Sequence, residues 1–189
     1  MAFWGTPLGA NQRDPKRKFR FQVQIGPLGD NSVVWYAKSV EKPKMSINSD
    51  TTHKYLGHTF KFPGSVTWED INVVLVDPAD PNTNGKDAAR ELLTIVEGSG
   101  YRFPTAANVT QTINKSDSVN SLGPVIIKQL DGDGAIIEQW KLHNPFIKEV
   151  SFDGLDYESD DLSEITLGIV YDWAELEKAA DGSDPALFE

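Results

Sequence analysis

Apolar and polar residues alternate from Phe19, with Phe21, Val23 and Ile25 against Arg20, Gln22 and Gln24. This period turns one row of side chains into a core and the other outward. Turn-forming residues fill 26–31, and 32–40 (SVVWYAKSV) resumes with β-branched and aromatic residues, so the two runs predict a hairpin. A second pairing is predicted over 66–76, where Trp68, Ile71, Val73 and Leu75 share a face. Asp77-Pro78 ends it, because proline has no N–H for a ladder. Strands over 125–130 and 135–143 flank Asp131-Gly132-Asp133-Gly134, residues that tolerate the positive φ of a tight turn. Further strands follow at 146–152 and 164–173, the latter with Ile165, Leu167, Ile169, Tyr171 and Trp173 on one face. One stretch, 84–98, has helical spacing. Asn84 caps it, Asp87 lies in its first turn, and Ala89, Leu92, Leu93 and Val96 form the stripe before Gly98 and Gly100. Seven or more strands and one helix predict a mainly β fold, an antiparallel β-barrel or sandwich with a flanking α-helix. Phe19, Phe21, Trp68, Trp140, Ile169 and Tyr171 are its expected structural anchors.

The remaining segments break these periods. Residues 1–18 combine Gly, Pro, Asn and charge, and are expected to form an extended N-terminal arm outside the domain of 19–173. Residues 41–62 hold Lys42, Lys44, Lys54 and Lys61 against Glu41 and Asp50. Their few apolar residues cannot cover a core on both faces, so this stretch is expected to protrude as a hairpin arm. Residues 104–121 are small and polar, which predicts a surface loop or an edge strand. The end, 174–189, is an acidic tail with helical character over 174–180, and no repeat of solenoid length occurs.

With 189 residues, 39% of them hydrophobic, the chain suits one domain with a full core. A net charge of −10 argues against a duplex-DNA or anionic-membrane binder. The charge is polarised: Arg13, Lys16, Arg17, Lys18 and Arg20 face only Asp14 in the first twenty residues, whereas 149–189 carries thirteen carboxylates against Lys178 alone. Two readings stand side by side. Either both ends are simply solvated, or the basic end of one copy meets the acidic end of another. The absence of cysteine removes disulfides and thiolate chemistry and suits a reducing compartment. The longest aliphatic run, 73–76, is far too short to span a membrane, and the first residues lack the pattern of a cleaved secretion signal.

Candidate chemistry is sparse. Asp160-Asp161 sits in a polar turn with no apolar pocket to raise one pKa, which favours a solvated turn over a catalytic dyad. His53 and His58 are expected on opposite faces of one strand, and His143 stands apart, so a shared metal is not expected. Asp131–Gly134 lacks the spacing and terminal Glu of a calcium loop. No phosphate-binding loop or nucleophile elbow is present. The basic run 13–20 lacks interleaved aromatics and suits an intersubunit arm better than a nucleic-acid groove. No catalytic, cofactor-binding or metal residue is expected, and no enzyme activity.

The order of FRFQVQIG, WYAKSVEKPKMSIN, HTFKFPGSVTWEDINVVLVDP, DAARELLTIVE, NPFIKEVSFDGLDYES and ITLGIVYDW over 19–173 resembles the tail-tube proteins of contractile-tailed bacteriophages. Its most specific parts are Thr67-Trp68-Glu69-Asp70 with the following strand, the passage 144–159 and the closing 165–173. The N-terminal arm, the insert 104–121 and the acidic tail are less typical of that family. The resemblance implies a virion tail subunit, assembled in the host cytoplasm, whose hexameric rings stack into a hollow tube that conducts DNA. Its partners would be copies of itself, the tail sheath, and baseplate and tape-measure proteins, with DNA passing without specific binding. An acidic lumen would then repel phosphate. The expected inter-subunit contacts are Arg13, Lys16, Arg17, Lys18, Lys42, Lys44, Lys54, Tyr55, Lys61, Asp160 and Asp161. Two alternatives remain: the inner tube of a bacterial contractile injection or type VI secretion apparatus, and a soluble β-sandwich binding module, at which Trp4 and Trp35 hint.

Overall fold

The computed structural model describes residues 15–26, 28–33, 36–78, 88–104, 110–158 and 160–178. It is sandwich-like, mainly β and antiparallel, and its sheets do not close into a barrel. The first sheet has the order β13 (Trp173–Lys178), β10 (Ile136–His143), β9 (Val125–Leu130), β1 (Phe21–Ile25), β2 (Leu28–Val33). The second runs β11 (Phe146–Phe152), β12 (Glu164–Val170), β8 (Ile71–Val76), β3 (Ala37–Val40). Two smaller ladders, β4 (Lys44–Ile47) with β7 (Val66–Glu69) and β5 (Thr51–Tyr55) with β6 (His58–Phe62), make up the arm. A single core cluster joins the sheets: Val23, Ile25, Val125, Ile127 and Leu142 from the first, and Ile71, Val73, Leu75, Ile165, Leu167 and Ile169 from the second. Burial at every second position is the period seen in the sequence, and it sets the register, because a one-residue slip would turn each row outward.

The first hairpin differs from the expectation over 32–40. β1 pairs with β2, closing at Ile25↔Leu28, and the chain then changes sheets so that β3 pairs with β8. The run 32–40 carries no turn residue to mark that crossing. Gly26 lies where a Cβ would stand 2.2 Å from the Leu122 carbonyl oxygen, so only glycine lets β1 end against the second helix. Phe19, an expected anchor, is instead 75% exposed, because β1 begins at Phe21; the Arg20 guanidinium sits 5.4 Å from its ring centroid. The other anchors do pack: Ile169 and Tyr171 are buried, and Phe21, Trp68 and Trp140 lie against the core.

Helix α1 (Ala88–Gly98) lies within the predicted span, while 84–87 fall outside the described residues. Its buried face is Ala88, Leu92 and Ile95, one position off the predicted stripe, and Leu93 is exposed. A second helix, α2 (Lys115–Leu122), corrects the expectation of a loop or edge strand over 104–121. The Asn114 side chain caps it by accepting from Asp117 N at 2.9 Å, and Gly123 ends it with φ 66°. Only Ser118 and Leu122 are buried, too few to leave a helical period in the sequence. Lys115 donates to both Asp172 oxygens at 2.7 Å, and this contact, with a bond from Asn144, holds the Asp172 pKa below the usual carboxylate range.

The C-terminal expectation is also corrected. The predicted strand 164–173 ends at Val170, and Trp173–Lys178 forms β13 on the other sheet rather than a helical tail. Helix-favouring Ala, Glu and Leu are overridden by cross-strand pairing: Ala174 opposite Leu142 is buried, and Glu175 lies opposite Lys141. The Glu175 carboxylate meets His143 Nε2 at 3.0 Å, and the His143 and Trp173 rings stack at 4.7 Å. Residues 179–189 lie outside the described set.

Candidate self-association surface

The arm leaves the body between β3 and β8 and carries ladder pairing from Lys44 to Glu69, beyond the predicted end at 62. Its root is fixed from several sides. The Trp68 ring packs against Tyr171 with centroids 6.1 Å apart, Lys44 pairs with Glu69 at 2.7 Å, and Lys148 pairs with Asp70 at 2.7 Å. Beyond the root, Gly64 N donates to Asn48 O at 2.6 Å and Asn48 N to Ser65 O at 2.9 Å.

Register sorts the outer ribbon into two faces. The pairs Thr51↔Phe62, His53↔Phe60 and Tyr55↔His58 place Tyr55, Phe60 and Phe62 on one side with both histidines. The pairs Thr52↔Lys61 and Lys54↔Thr59 form the other. His53 and His58 therefore share a face, contrary to the single-strand expectation, because the chain reverses at Leu56-Gly57, both with positive φ. Among the described residues no three His, Cys, Asp or Glu converge on a metal position. Tyr55, Phe60 and Phe62 are each half or more exposed, as are Met45, Ile47 and Val66 on the root. Exposed apolar side chains gathered on one face of the ribbon mark an interaction surface.

At the base of the arm, Glu138 gathers three donors. Lys16 pairs with one oxygen, and Lys42 Nζ and Trp140 Nε1 each donate to the other at 2.6 Å. Burial pushes the carboxyl pKa up, but these three bonds outweigh it and bring it down to about 2. Lys42 also donates to Gln129 Oε1 at 2.6 Å, and Gln129 Nε2 donates to the Arg17 carbonyl at 3.3 Å.

The predicted contact residues thus fall into three places. Lys16 and Lys42 meet at Glu138 inside one chain, the Arg17 carbonyl accepts from Gln129 nearby, and exposed Lys18 lines the same cleft as Lys16 and Lys42. Lys44, Lys54, Tyr55 and Lys61 lie along the arm, with Lys44 already paired to Glu69. Asp160 and Asp161 are exposed on the β11–β12 loop, and Arg13 falls outside the described residues. Sequence reasoning missed Glu138, which follows Ile136 and Ile137 within an apolar run and carries no signal of its own. It also missed Leu155, Tyr157 and Leu162, whose isolation among acids was visible. Among the described residues, β13, β2, β11 and β3 stand at sheet edges, each with a strand neighbour on one side only. No helix among the described residues is long and apolar enough to cross a membrane.

Among the described residues these features define an antiparallel β-sandwich unit with open edges, two side helices and an exposed two-stranded arm. Solved structures share that architecture. A chain of the anti-feeding prophage baseplate matches with a TM-score of 0.61 at 13% identity, covering 88% of this chain and 97% of that one. A chain of the PVC sheath–tube complex, an extracellular contractile injection system in its extended state, matches at 0.60 and 16%, covering 87% and 93%. A chain of the anti-feeding prophage tube-terminating cap matches at 0.59 and 17%, covering 95% and 100%. At these identities the likeness is one of fold. No protein-family model matches the sequence, and neither does any curated protein.

Proposed function

We propose that this chain is a structural, non-catalytic subunit of the tube of a contractile apparatus. Copies associate into hexameric rings, and rings stack into a hollow tube within a sheath, ending on baseplate components. The observation that carries this reading is the arm: a ribbon whose aromatic face is exposed, with nothing covering it among the described residues, on a body with open sheet edges. Such a shape is incomplete alone and complete among copies of itself. The fold likeness to chains of sheath–tube and cap assemblies supports it over nearly the full length.

Two payloads fit the same tube. The sequence resemblance over 19–173 suggests one, a phage tail that conducts DNA, with a tape-measure protein setting its length and the virion tail as its place, although the residues of a bacterial tube would read alike. A net charge of −10 per copy lets phosphate slide past without sticking. The fold likeness to chains of an extracellular contractile injection system favours the alternative, a bacterial apparatus that delivers another cargo. Electron micrographs of the purified protein at high concentration test the shared claim. Stacked rings or tubes are expected; isolated particles, even with baseplate nuclei supplied, contradict it.

A further inference from the structure

Two surfaces outside the arm's outer ribbon complement each other. The first is a cleft of about 900 Å³ beside β1, β3 and β9, whose apolar lining is Phe19, Phe21, Val40 and Ile127. Five lysines line it: Lys16, Lys18, Lys38, Lys42 and Lys128. Glu138 answers Lys16 and Lys42, and Glu164 answers Lys38. Lys18 and Lys128 keep the rim basic in a chain whose net charge is −10.

The second surface is the loop joining β11 to β12. From 153 to 163 it holds five carboxylates and no basic residue. Among them Leu155 is 93% exposed, Tyr157 is fully exposed and Leu162 is 68% exposed. Lone apolar side chains on a surface are ordinary, but three on one short acidic loop are not. The loop is acidic with exposed apolar tips, and the cleft is basic with an apolar lining.

We infer that this knob of one copy docks in the lysine-rimmed cleft of the next, with Leu155, Tyr157 and Leu162 toward the apolar lining and the loop acids on the rim. The arm is the poorer receptor, because Lys54 and Lys61 lie on the face opposite Tyr55, Phe60 and Phe62. It cannot offer charge and apolar surface to one knob together, whereas the cleft offers both. The knob is not seated in the cleft of its own chain, since its apolar tips are exposed there. Knob and cleft adjoin within one copy, since Lys38 of the cleft pairs with Glu164 where the loop ends, but they are unlike surfaces, so the contact joins the knob of one copy to the cleft of another. The inference deepens the tube reading, on which it rests for closure of that chain of contacts into rings. Desolvated rim pairs would fix register and steer encounter, while the apolar tips hold the complex.

Sedimentation velocity tests this with the full chain and two charge-reversed variants, Asp156→Lys/Asp160→Lys on the knob and Lys18→Glu/Lys128→Glu on the cleft. Circular dichroism verifies that each is folded. Alone, each variant is expected to associate about tenfold more weakly than the parent or worse. Mixed in equal amounts they recover, because each supplies the sign the other has lost. Unchanged association in either variant, or no recovery on mixing, overturns the inference. Because the chain has no cysteine, a second measurement is clean: Tyr157→Cys mixed with Lys18→Cys under mild oxidation is expected to give an interchain disulfide. A Tyr157→Cys/Lys18→Cys chain that forms only an internal bond at every concentration also overturns it, since the knob would then close its own cleft. If both reversed variants still build tubes, the docking falls and the tube reading stands. If knob–cleft pairs form but no tube appears under any condition, the docking stands and the tube reading falls.

Discussion

Glu138 is the residue at which the N-terminal segment, the root of the arm and the first sheet meet. Its pKa of about 2 in the folded chain lies below the ordinary 4.5, so its contribution is fully present above pH 4.5 and is lost as pH falls toward 2. Lys16 and Lys42 are each about half exposed and recover water when the carboxylate is removed, which keeps the cost moderate. Glu138→Gln is expected to destabilise the chain by about 1–2 kcal/mol at pH 7 in urea unfolding. That difference should shrink steadily between pH 5 and pH 2. A gap that stays constant across this range would mean the ion pairs contribute nothing to the folded state.

Among the elements, the arm is the part whose removal should leave the body standing. Excising 49–63 and joining Asn48 to Gly64 through Asn-Gly keeps β4 paired with β7 and keeps Trp68 on Tyr171. The excised residues are all exposed, so the unfolding free energy is expected to change by no more than about 0.5 kcal/mol. Self-association, measured by light scattering, is expected to disappear. Polymers formed by the truncated chain would show that the ribbon bridges nothing. The elements also show what the sequence makes legible. Ile71, Val73 and Leu75, or Ile165, Leu167 and Ile169, alternate so strictly that their strands and core face follow at once. The turn at Asp131 is equally readable, because its Oδ1 accepts from Asp133 N and Ala135 N at 2.9 and 2.8 Å. The sheet change before β3 leaves no mark, because both sheets ask for the same β-branched residues. For α2 the Asn114 cap and Gly123 stop were present in the sequence, but a helix that buries two residues has no stripe to read. β13 was hidden by helix-favouring residues whose pairing with β10 decides the outcome.

At the scale of the whole molecule, three surfaces are left open together: the sheet edges, the aromatic face of the arm, and the acidic knob with its basic cleft. Each could belong to a monomer taken singly, but their coincidence is what a repeating assembly requires. The arm and the polarised charge were legible as composition. The pairing of particular surfaces was not, because it depends on which residues the fold brings side by side. Hydrogen–deuterium exchange, read by mass spectrometry on the chain dispersed by dilution and again when assembled, tests the central claim most directly. Amides of β5, β6, β11 and β13 are expected to exchange about tenfold more slowly, or slower still, in the assembled state, while those of the central strands β9 and β12 stay slow in both. Equal exchange of the arm and edge strands in the two states would contradict the account, because copies of the chain would then not be what covers them.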